Sequence, residues 1–246
     1  MKKLLMGVLA ILAMASLVAC GNKNVEPTSS PNPSQNQVEV VPSNSVEPVV
    51  ENVSNEEMYA NVISSYQTAM AEYDLENIPE DEEFMNQYPF VSGTLLTHVL
   101  RYSGDGVKMT YSFYDINHDG VDELLMGANG SVGAIYAYDK TSKNPVKIYF
   151  QSTMERGNLD IYDNGVILSS GAGGAALHYY EFGRIAENTA TYELIESIEE
   201  EYVDANTTPV YRDSTSRETL AYTSLDEIMN KYVSGAAKIQ SNSVEL

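Results

Sequence analysis

Two segments with helical periodicity enclose a long stretch in which hydrophobic residues alternate, and this change of period limits the chain to a mixed fold. The first helical segment begins with Ser54–Glu57, which matches a capping box. Its apolar positions then recur every three or four residues, at Met58, Val62, Ile63, Tyr66, Ala69, Met70 and Tyr73. The second begins with another capping box, Ser224–Glu227, and Gly235 is placed to end it. The sequence therefore predicts two amphipathic helices, the first ending near Leu75.

The segment between these helices has the two-residue period of β-strands. Within residues 107–116, Met109, Tyr111 and Phe113 fall on one side of an extended chain. Short tyrosine-rich segments bounded by turn residues are also typical of strands, and they occur at 133–139, 145–151, 158–170 and 177–185. Asp163–Gly165 predicts a hairpin turn, because Asn and Gly tolerate the positive φ that such turns require. Residues 191–203 fit either a strand or a helix.

Together these patterns predict an α+β fold, an antiparallel β meander with an N-terminal and a C-terminal helix packed on it. The folded domain is expected to cover residues 54–235, and residues 236–246 are expected to form a frayed tail. The apolar stripe of each helix should pack on this domain. For the first helix, a partner-binding face is the alternative.

The N-terminal residues indicate export and attachment to a membrane. Two lysines precede an apolar run from Leu4 to Ala19, which is short for a membrane span but typical of a signal peptide. Leu17–Cys20 resembles the lipobox of bacterial lipoproteins. That resemblance implies cleavage after residue 19 and a diacylglyceryl group on Cys20, which would anchor the protein to the cell membrane on its extracytoplasmic face. Cys20 is the only cysteine, so no intramolecular disulfide is available.

Residues 20–53 should form a disordered tether between this anchor and the domain. Five prolines lie there among Ser, Asn, Gln and Glu, and the segment has too few apolar residues to build a core. A flexible chain of this length spans about 30 Å on average. The segment therefore suits a spacer that holds the domain away from a membrane surface.

The stretch Asp115–Glu123 places oxygen-bearing side chains at alternate positions before a glycine. In a tight loop such side chains converge, and Gly120 allows the sharp turn that follows them. Several hard oxygen ligands in a loose cage suit Ca²⁺ better than Mg²⁺, and zinc would need thiolate or imidazole ligands. His118 should point outward. The predicted ligands are the side chains of Asp115, Asn117, Asp119 and Glu123 and the carbonyl oxygen of Val121. The alternative is an Asp- and Gly-rich turn whose side chains only satisfy its own backbone.

This loop resembles the calcium-binding hairpin loops of FG-GAP and VCBS repeats, whose pattern is D-x-[DN]-x-D-G-x-x-[DE]. An EF-hand is not indicated, since Met126 occupies the twelfth position and the flanking residues have strand character. Residues 109–127 also resemble single-copy loops in surface lipoproteins of Gram-positive bacteria. The repeat families build propellers from many copies, whereas this chain has one, so a full propeller is not expected.

Other signals in the sequence exclude or weaken several functions. The net charge of −21 opposes binding to nucleic acid and to anionic lipid headgroups. Neither an H-E-x-x-H pair nor a G-x-S-x-G elbow is present. Residues 169–176 contain G-x-G-x-x-A, but strand-like sequence follows, so a glycine-rich turn or bulge is expected. Close approach of a ligand or of neighbouring backbone is the alternative. The tyrosines suit a half-buried sheet, with a carbohydrate or peptide platform as the second explanation.

The sequence thus predicts a non-enzymatic cell-surface lipoprotein. Its calcium-stabilised extracellular domain would bind an unidentified envelope or extracellular ligand or scaffold other components. No catalytic residue is assigned. The alternative is an envelope hydrolase that acts on cell-wall polysaccharide through paired carboxylates. A two-lobed solute-binding lipoprotein is disfavoured because the chain shows no alternating βαβ pattern.

Overall fold

The computed structural model describes residues 53–76, 81–187, 189–204, 207–240 and 242–246, without the side chains of residues 81 and 82. The predicted signal peptide, Cys20 and residues 21–52 of the predicted tether lie outside these residues. No helix in the described part of the chain is long and apolar enough to cross a membrane.

The α+β prediction is confirmed for the described residues, which contain two antiparallel meanders and a helix at each end of the domain. The helices are α1 (Asn55–Met58), α2 (Ala60–Glu72), α3 (Asp81–Gln87), α4 (Gly93–Tyr102) and α5 (Leu225–Val233). The strands are β1 (Met109–Tyr114), β2 (Glu123–Ala128), β3 (Ser131–Asp139), β4 (Asn144–Phe150), β5 (Gly157–Ile161), β6 (Ile167–Gly174), β7 (Leu177–Ile185), β8 (Tyr192–Glu201), β9 (Val210–Asp213) and β10 (Val244–Glu245).

The strands form two five-stranded sheets with orders β10-β1-β2-β3-β4 and β5-β6-β7-β8-β9. Every pairing between them is antiparallel. Residues 191–203, for which the sequence allowed a strand or a helix, contain β8. The hairpin predicted at Asp163–Gly165 joins β5 to β6, and Gly165 has the expected positive φ of 81°.

Three apolar clusters arrange these elements in four layers. The first cluster packs α1, α2, α3 and α4 on one face of the first sheet, and it includes Leu124 and Met126 of β2. The second lies between the two sheets and includes Leu125 of β2. The third packs α5 on the outer face of the second sheet. Because neighbouring β2 side chains point to opposite faces, this strand contributes to two of the three clusters.

The first predicted helix begins at the expected residue but is interrupted. Ser54 and Glu57 form both hydrogen bonds of the capping box, so α1 starts directly after Ser54. Tyr59 then leaves helical geometry, with φ −107° and ψ 14°, and α2 begins at Ala60. Tyr59 is fully buried in the first cluster. The break therefore coincides with a tyrosine whose ring packs in the core.

Two helices were not predicted from the sequence. α3 and α4 precede β1, and α4 has an N-cap at Ser92, whose side chain accepts a hydrogen bond from the Leu95 amide. Leu95, Leu96 and Val99 bury one side of α4 in the first cluster. The sequence of α4 lacks the capping box that begins the other two predicted helices; a serine at its N-cap is the signal that could have located its start.

The prediction of a frayed tail after residue 235 differs from the described structure. Val244–Glu245 forms β10 beside β1, and the Leu246 amide donates to the Met109 carbonyl at 3.0 Å. Earlier in the tail, the Ile239 amide donates to the Ile161 carbonyl at 2.8 Å. β1 would otherwise be an edge strand with unpaired backbone groups, and the tail satisfies part of that edge. A two-residue strand leaves no periodic signal in the sequence.

We expect Phe182→Ala to lower the free energy of unfolding by about 3 to 5 kcal/mol, because it deletes a fully buried ring. This ring stacks on Tyr232 of α5 with 4.4 Å between centroids. Leu194→Ala, in the same sheet but 53% exposed, is the control and should change it by about 0.5 kcal/mol or less. Denaturant unfolding measures both. Equal losses in the two variants would contradict the packing of α5 on this sheet.

Candidate functional site

The predicted calcium loop connects β1 to β2, the central strand of the first sheet. Tyr114 and Glu123 face each other across the last pair of the ladder, so the eight intervening residues form the loop of a hairpin. Gly120 has φ 83°, which confirms the predicted glycine-dependent turn. His118 also has a positive φ, 58°, and its side chain is exposed as expected.

Three of the predicted ligand side chains are drawn to one turn by backbone N–H groups. Asp115 Oδ1 and Asn117 Oδ1 both accept from the Asp119 amide at 3.1 Å. Asp115 Oδ2 accepts from the Gly120 amide at 3.0 Å, and Asp119 Oδ1 accepts from the Val121 amide at 3.0 Å. The alternate spacing of these side chains therefore brings their oxygens to the same few amides.

Glu123 lies beneath this turn at the start of β2. Its side chain is 2% exposed, and Oε2 accepts from the Ile116 amide at 2.8 Å. Burial raises the pKa of Glu123 to about 8; the Ile116 hydrogen bond opposes that rise, and the charges of Asp119 and Asp115 add to it. The loop thus combines a buried carboxyl group with two further carboxylates.

The donor chemistry of the loop fits a hard cation, since carboxylate and amide oxygens are the ligands that Ca²⁺ prefers. Lys140 Nζ lies 3.1 Å from Asp119 Oδ2, so one loop carboxylate already attracts a positive charge. Within the described residues, no group of three or more His, Cys, Asp and Glu side chains is placed to hold a metal ion. The ligand set of Asp115, Asn117, Asp119, Val121 and Glu123 therefore stays a prediction.

Asp122 connects the loop to the N-terminal helices, a contact that the sequence did not indicate. Its Oδ2 accepts from Asn55 Nδ2 at 2.7 Å, and its carbonyl oxygen accepts from the Tyr59 hydroxyl at 2.9 Å. Burial raises the pKa of Tyr59 far above its ordinary value, with the charges of Glu123 and Asp122 adding to the rise, so this hydroxyl stays a proton donor. The loop is therefore fastened to α1 and to the residue that separates α1 from α2.

A cavity of about 430 Å³ adjoins the loop and bears on the hydrolase alternative. His118 lines it, and His118 Nε2 lies 3.0 Å from the Asp163 carbonyl oxygen of the neighbouring hairpin. Two carboxylates, Glu187 and Glu193, also line this cavity, but Glu193 is paired with Arg184 at 2.8 Å. That pairing gives Glu193 a structural partner, and among the described residues no hydrogen bond or ion pair positions Glu187 for acid–base chemistry.

Comparison with known proteins adds little to this geometry. No protein-family model matches the chain, and no curated protein matches it. A solved structure, described as a Xanthomonas type IV secretion system related protein, is similar to part of the chain with 21% sequence identity and a TM-score of 0.31. The similarity covers 44% of this chain and 55% of that one, so the chain spans about half the length of the structure that it matches. Similarity at this level identifies neither a shared fold nor a shared function.

We expect Asn55→Ala to lower the free energy of unfolding by about 1 to 2 kcal/mol, because it removes a hydrogen bond to a charged, partly buried carboxylate. Asn61→Ala, an exposed position in α2, is the matched control and should stay within about 0.5 kcal/mol of the parent. Urea titration of both variants provides the comparison. If Asn55→Ala is as stable as Asn61→Ala, the Asn55–Asp122 contact does not fasten the helix to the loop.

Proposed function

We propose that this protein is a non-enzymatic cell-surface lipoprotein whose extracellular domain is stabilised by Ca²⁺ and acts by binding a ligand or scaffolding envelope components. The observation that carries the calcium part of this proposal is the position of the loop. It begins the central strand β2, places Glu123 beneath the turn and is fastened to the N-terminal helices through Asp122. Anything that orders this loop therefore acts on several layers of the domain.

The side chains of Asp115, Asn117, Asp119 and Glu123 and the carbonyl of Val121 would hold the ion. Bound Ca²⁺ would supply positive charge that offsets the repulsion between the Asp115 and Asp119 carboxylates and favours the charged form of Glu123, which burial disfavours. The chain's own contribution is the positive φ at Gly120 and the amides that orient the Asp115 and Asp119 side chains. Because these contacts exist only in the folded hairpin, the ion should bind the folded state in preference to the unfolded chain.

The anchoring part of the proposal is supported by the resemblance of Leu17–Cys20 to a lipobox. A lipid on Cys20, followed by the proline-rich segment to residue 53, would place the domain on the extracytoplasmic side of the cell membrane. Two acyl chains give stable attachment, whereas a single chain is marginal. The strongly acidic chain would not itself adhere to anionic lipid, so the anchor supplies the attachment.

Calcium stabilisation is tested with two variants that make the same chemical change. With an affinity in the range of extracellular calcium modules, millimolar Ca²⁺ should add about 0.5 to 1.5 kcal/mol of stability. For a domain of this size, each kcal/mol of added stability raises the melting temperature by roughly 2 to 4 °C. Asp119→Asn keeps an oxygen that can accept from the Val121 amide but removes a ligand charge, so it should abolish most of the calcium-dependent shift.

Asp122→Asn is the matched control, because Asp122 contacts Asn55 rather than the turn, and this variant should keep the shift. Calorimetric melting in calcium and in chelator gives the comparison, and calcium titration calorimetry gives the binding heat. The calcium proposal fails if the parent melts at the same temperature in both buffers and shows no binding heat.

Cys20→Ala should move the protein from the membrane fraction to the soluble fraction, or leave an unprocessed precursor, because the lipid-bearing thiol is lost. Asn22→Ala, outside Leu17–Cys20, is the control and should remain in the membrane fraction. Fractionation followed by mass measurement of the N-terminal fragment distinguishes the outcomes. A processed Cys20→Ala protein that stays membrane-bound rules out this anchor.

A further inference from the structure

A cavity of about 350 Å³ opens over the glycine-rich strand β6 in the second sheet. Its lining comes from several parts of the chain that meet only in the fold: the end of β4 and the residues after it, β5, β6, β7, β8 and the residue that follows β9. This volume is within the range of about 300 to 1,000 Å³ that is typical of small-molecule sites. The cavity lies apart from the calcium loop, and no residue of Asp115–Glu123 lines it.

Two buried polar atoms of this cavity have no hydrogen-bond partner among the described residues. They are the amide nitrogen Nε2 of Gln151 and the hydroxyl oxygen of Ser214. Gln151 is 3% exposed, so bulk water does not supply the missing hydrogen bond to its side-chain amide. A buried donor without a partner costs about 1 to 3 kcal/mol, and most such groups in native proteins are paired. Because both atoms belong to residues that line the cavity, a polar ligand there is a candidate partner for them.

Glycines make room for this arrangement. A Cβ on Gly157 would lie 2.7 Å from Gln151 Nε2 and 2.9 Å from the Thr153 carbonyl oxygen. A Cβ on Gly173 would lie 2.9 Å from the Tyr179 ring. Larger residues at these positions would displace the unpaired amide and the aromatic wall. The glycine-rich segment, for which the sequence predicted a turn or bulge, lies in β6 with a register shift between Ala172 and Gly174, and it shapes this cavity.

The lining also restricts the charge of a ligand. Serine hydroxyls and tyrosine side chains predominate, and none of the described lining residues is Lys or Arg. The acidic lining residue Glu181 accepts a hydrogen bond from the Tyr192 hydroxyl at 2.9 Å. An anionic ligand would find no counter-charge there. Hydroxyl and amide groups beside aromatic faces instead suit a neutral molecule that carries many hydroxyl groups.

The floor of the cavity disfavours an extended peptide. Peptides that add to a sheet use unpaired backbone groups of an edge strand. β6 is an interior strand, with Ser170 facing Asn158 of β5 on one side and Tyr180 of β7 on the other. From Ile167 to Gly171 its backbone is paired with both neighbouring strands, which leaves side-chain groups there to contact a ligand. This arrangement favours a saccharide over a peptide strand.

We propose that this cavity is a binding site for a neutral saccharide. Gln151 and Ser214 would hydrogen-bond its hydroxyl groups, and Tyr179 would cover one face of a sugar ring. The proposal deepens the binding role proposed above and rests on it for its biological meaning, whereas the site itself does not depend on Ca²⁺ or on the lipid anchor.

The test is titration calorimetry of the full chain with glucose, maltose and N,N′-diacetylchitobiose, with tetraglycine and inorganic phosphate as comparison ligands. At least one saccharide should bind, and tetraglycine and phosphate should not. Gln151→Met replaces the unpaired amide with an apolar group of similar size, so the variant should fold and melt at the same or a higher temperature. Its saccharide affinity should fall about tenfold, the loss expected for one hydrogen bond of about 1.4 kcal/mol.

Tyr179→Ala is a second variant; because Tyr179 is 40% exposed, its removal should leave the fold intact while weakening saccharide binding by a similar factor. Leu194→Ala, an exposed residue of the same sheet that does not line the cavity, is the control and should bind as the parent does. The proposal is overturned if no saccharide binds the folded parent, if only tetraglycine or phosphate binds, or if Gln151→Met and Tyr179→Ala retain full affinity.

Repeating the titration in chelator and with Asp119→Asn separates this proposal from the calcium proposal. Unchanged saccharide affinity under both conditions is expected, because no loop residue lines the cavity. Saccharide binding that persists where calcium has no effect on melting would support the cavity and reject only the calcium site. A calcium-dependent melting shift without saccharide binding would do the reverse.

Discussion

The burial of β2 on both faces is the constraint on which the rest of the fold depends. All six residues of this strand are buried, with Leu124 and Met126 beneath the helices and Leu125 between the sheets. A strand in this position has no solvent-exposed side on which to place a charge. Glu123 nevertheless begins it, and the loop above supplies its hydrogen bond from Ile116. The hairpin loop is therefore part of the core, and its order affects the layers on either side.

In the second sheet, tyrosine hydroxyls donate hydrogen bonds to acidic side chains that the fold buries or half-buries. Glu200 is 3% exposed, and its carboxylate accepts from the hydroxyls of Tyr180 and Tyr211 and lies 2.9 Å from His178 Nδ1. Glu196 accepts in the same way from Tyr222 at 2.7 Å. A carboxylate buried without such donors would destabilise the fold. Part of the chain's tyrosine content is thus explained by hydrogen bonds to acidic residues of one strand, in addition to packing.

Sequence periodicity predicted more of the fold than of the candidate sites. The helix starts at Ser54 and Ser224, the hairpin at Asp163–Gly165 and the turn at Gly120 were all predicted, since each depends on interactions within a few residues. The acidic residues of β8 are compatible with the solvent-exposed face of either a helix or a strand, so the sequence did not decide between the two. The division into two sheets could not be predicted from the sequence, because a single meander and two stacked meanders have the same local pattern of residues.

The sequence alone determined the capped helix starts at Ser54 and Ser224, the hairpin turns at Asp163–Gly165 and Gly120, and the alternate oxygens of Asp115–Glu123, because dihedral preferences and short-range hydrogen bonds act between neighbours in the chain. Only the tertiary structure decided which groups would be buried together. The Asn55–Asp122 contact joins residues 67 positions apart, and the cavity of Gln151 and Ser214 joins segments from both sheets. Such contacts form when the layers pack, because packing is driven by the burial of apolar surface. Local conformational preferences do not predict which distant residues it brings together.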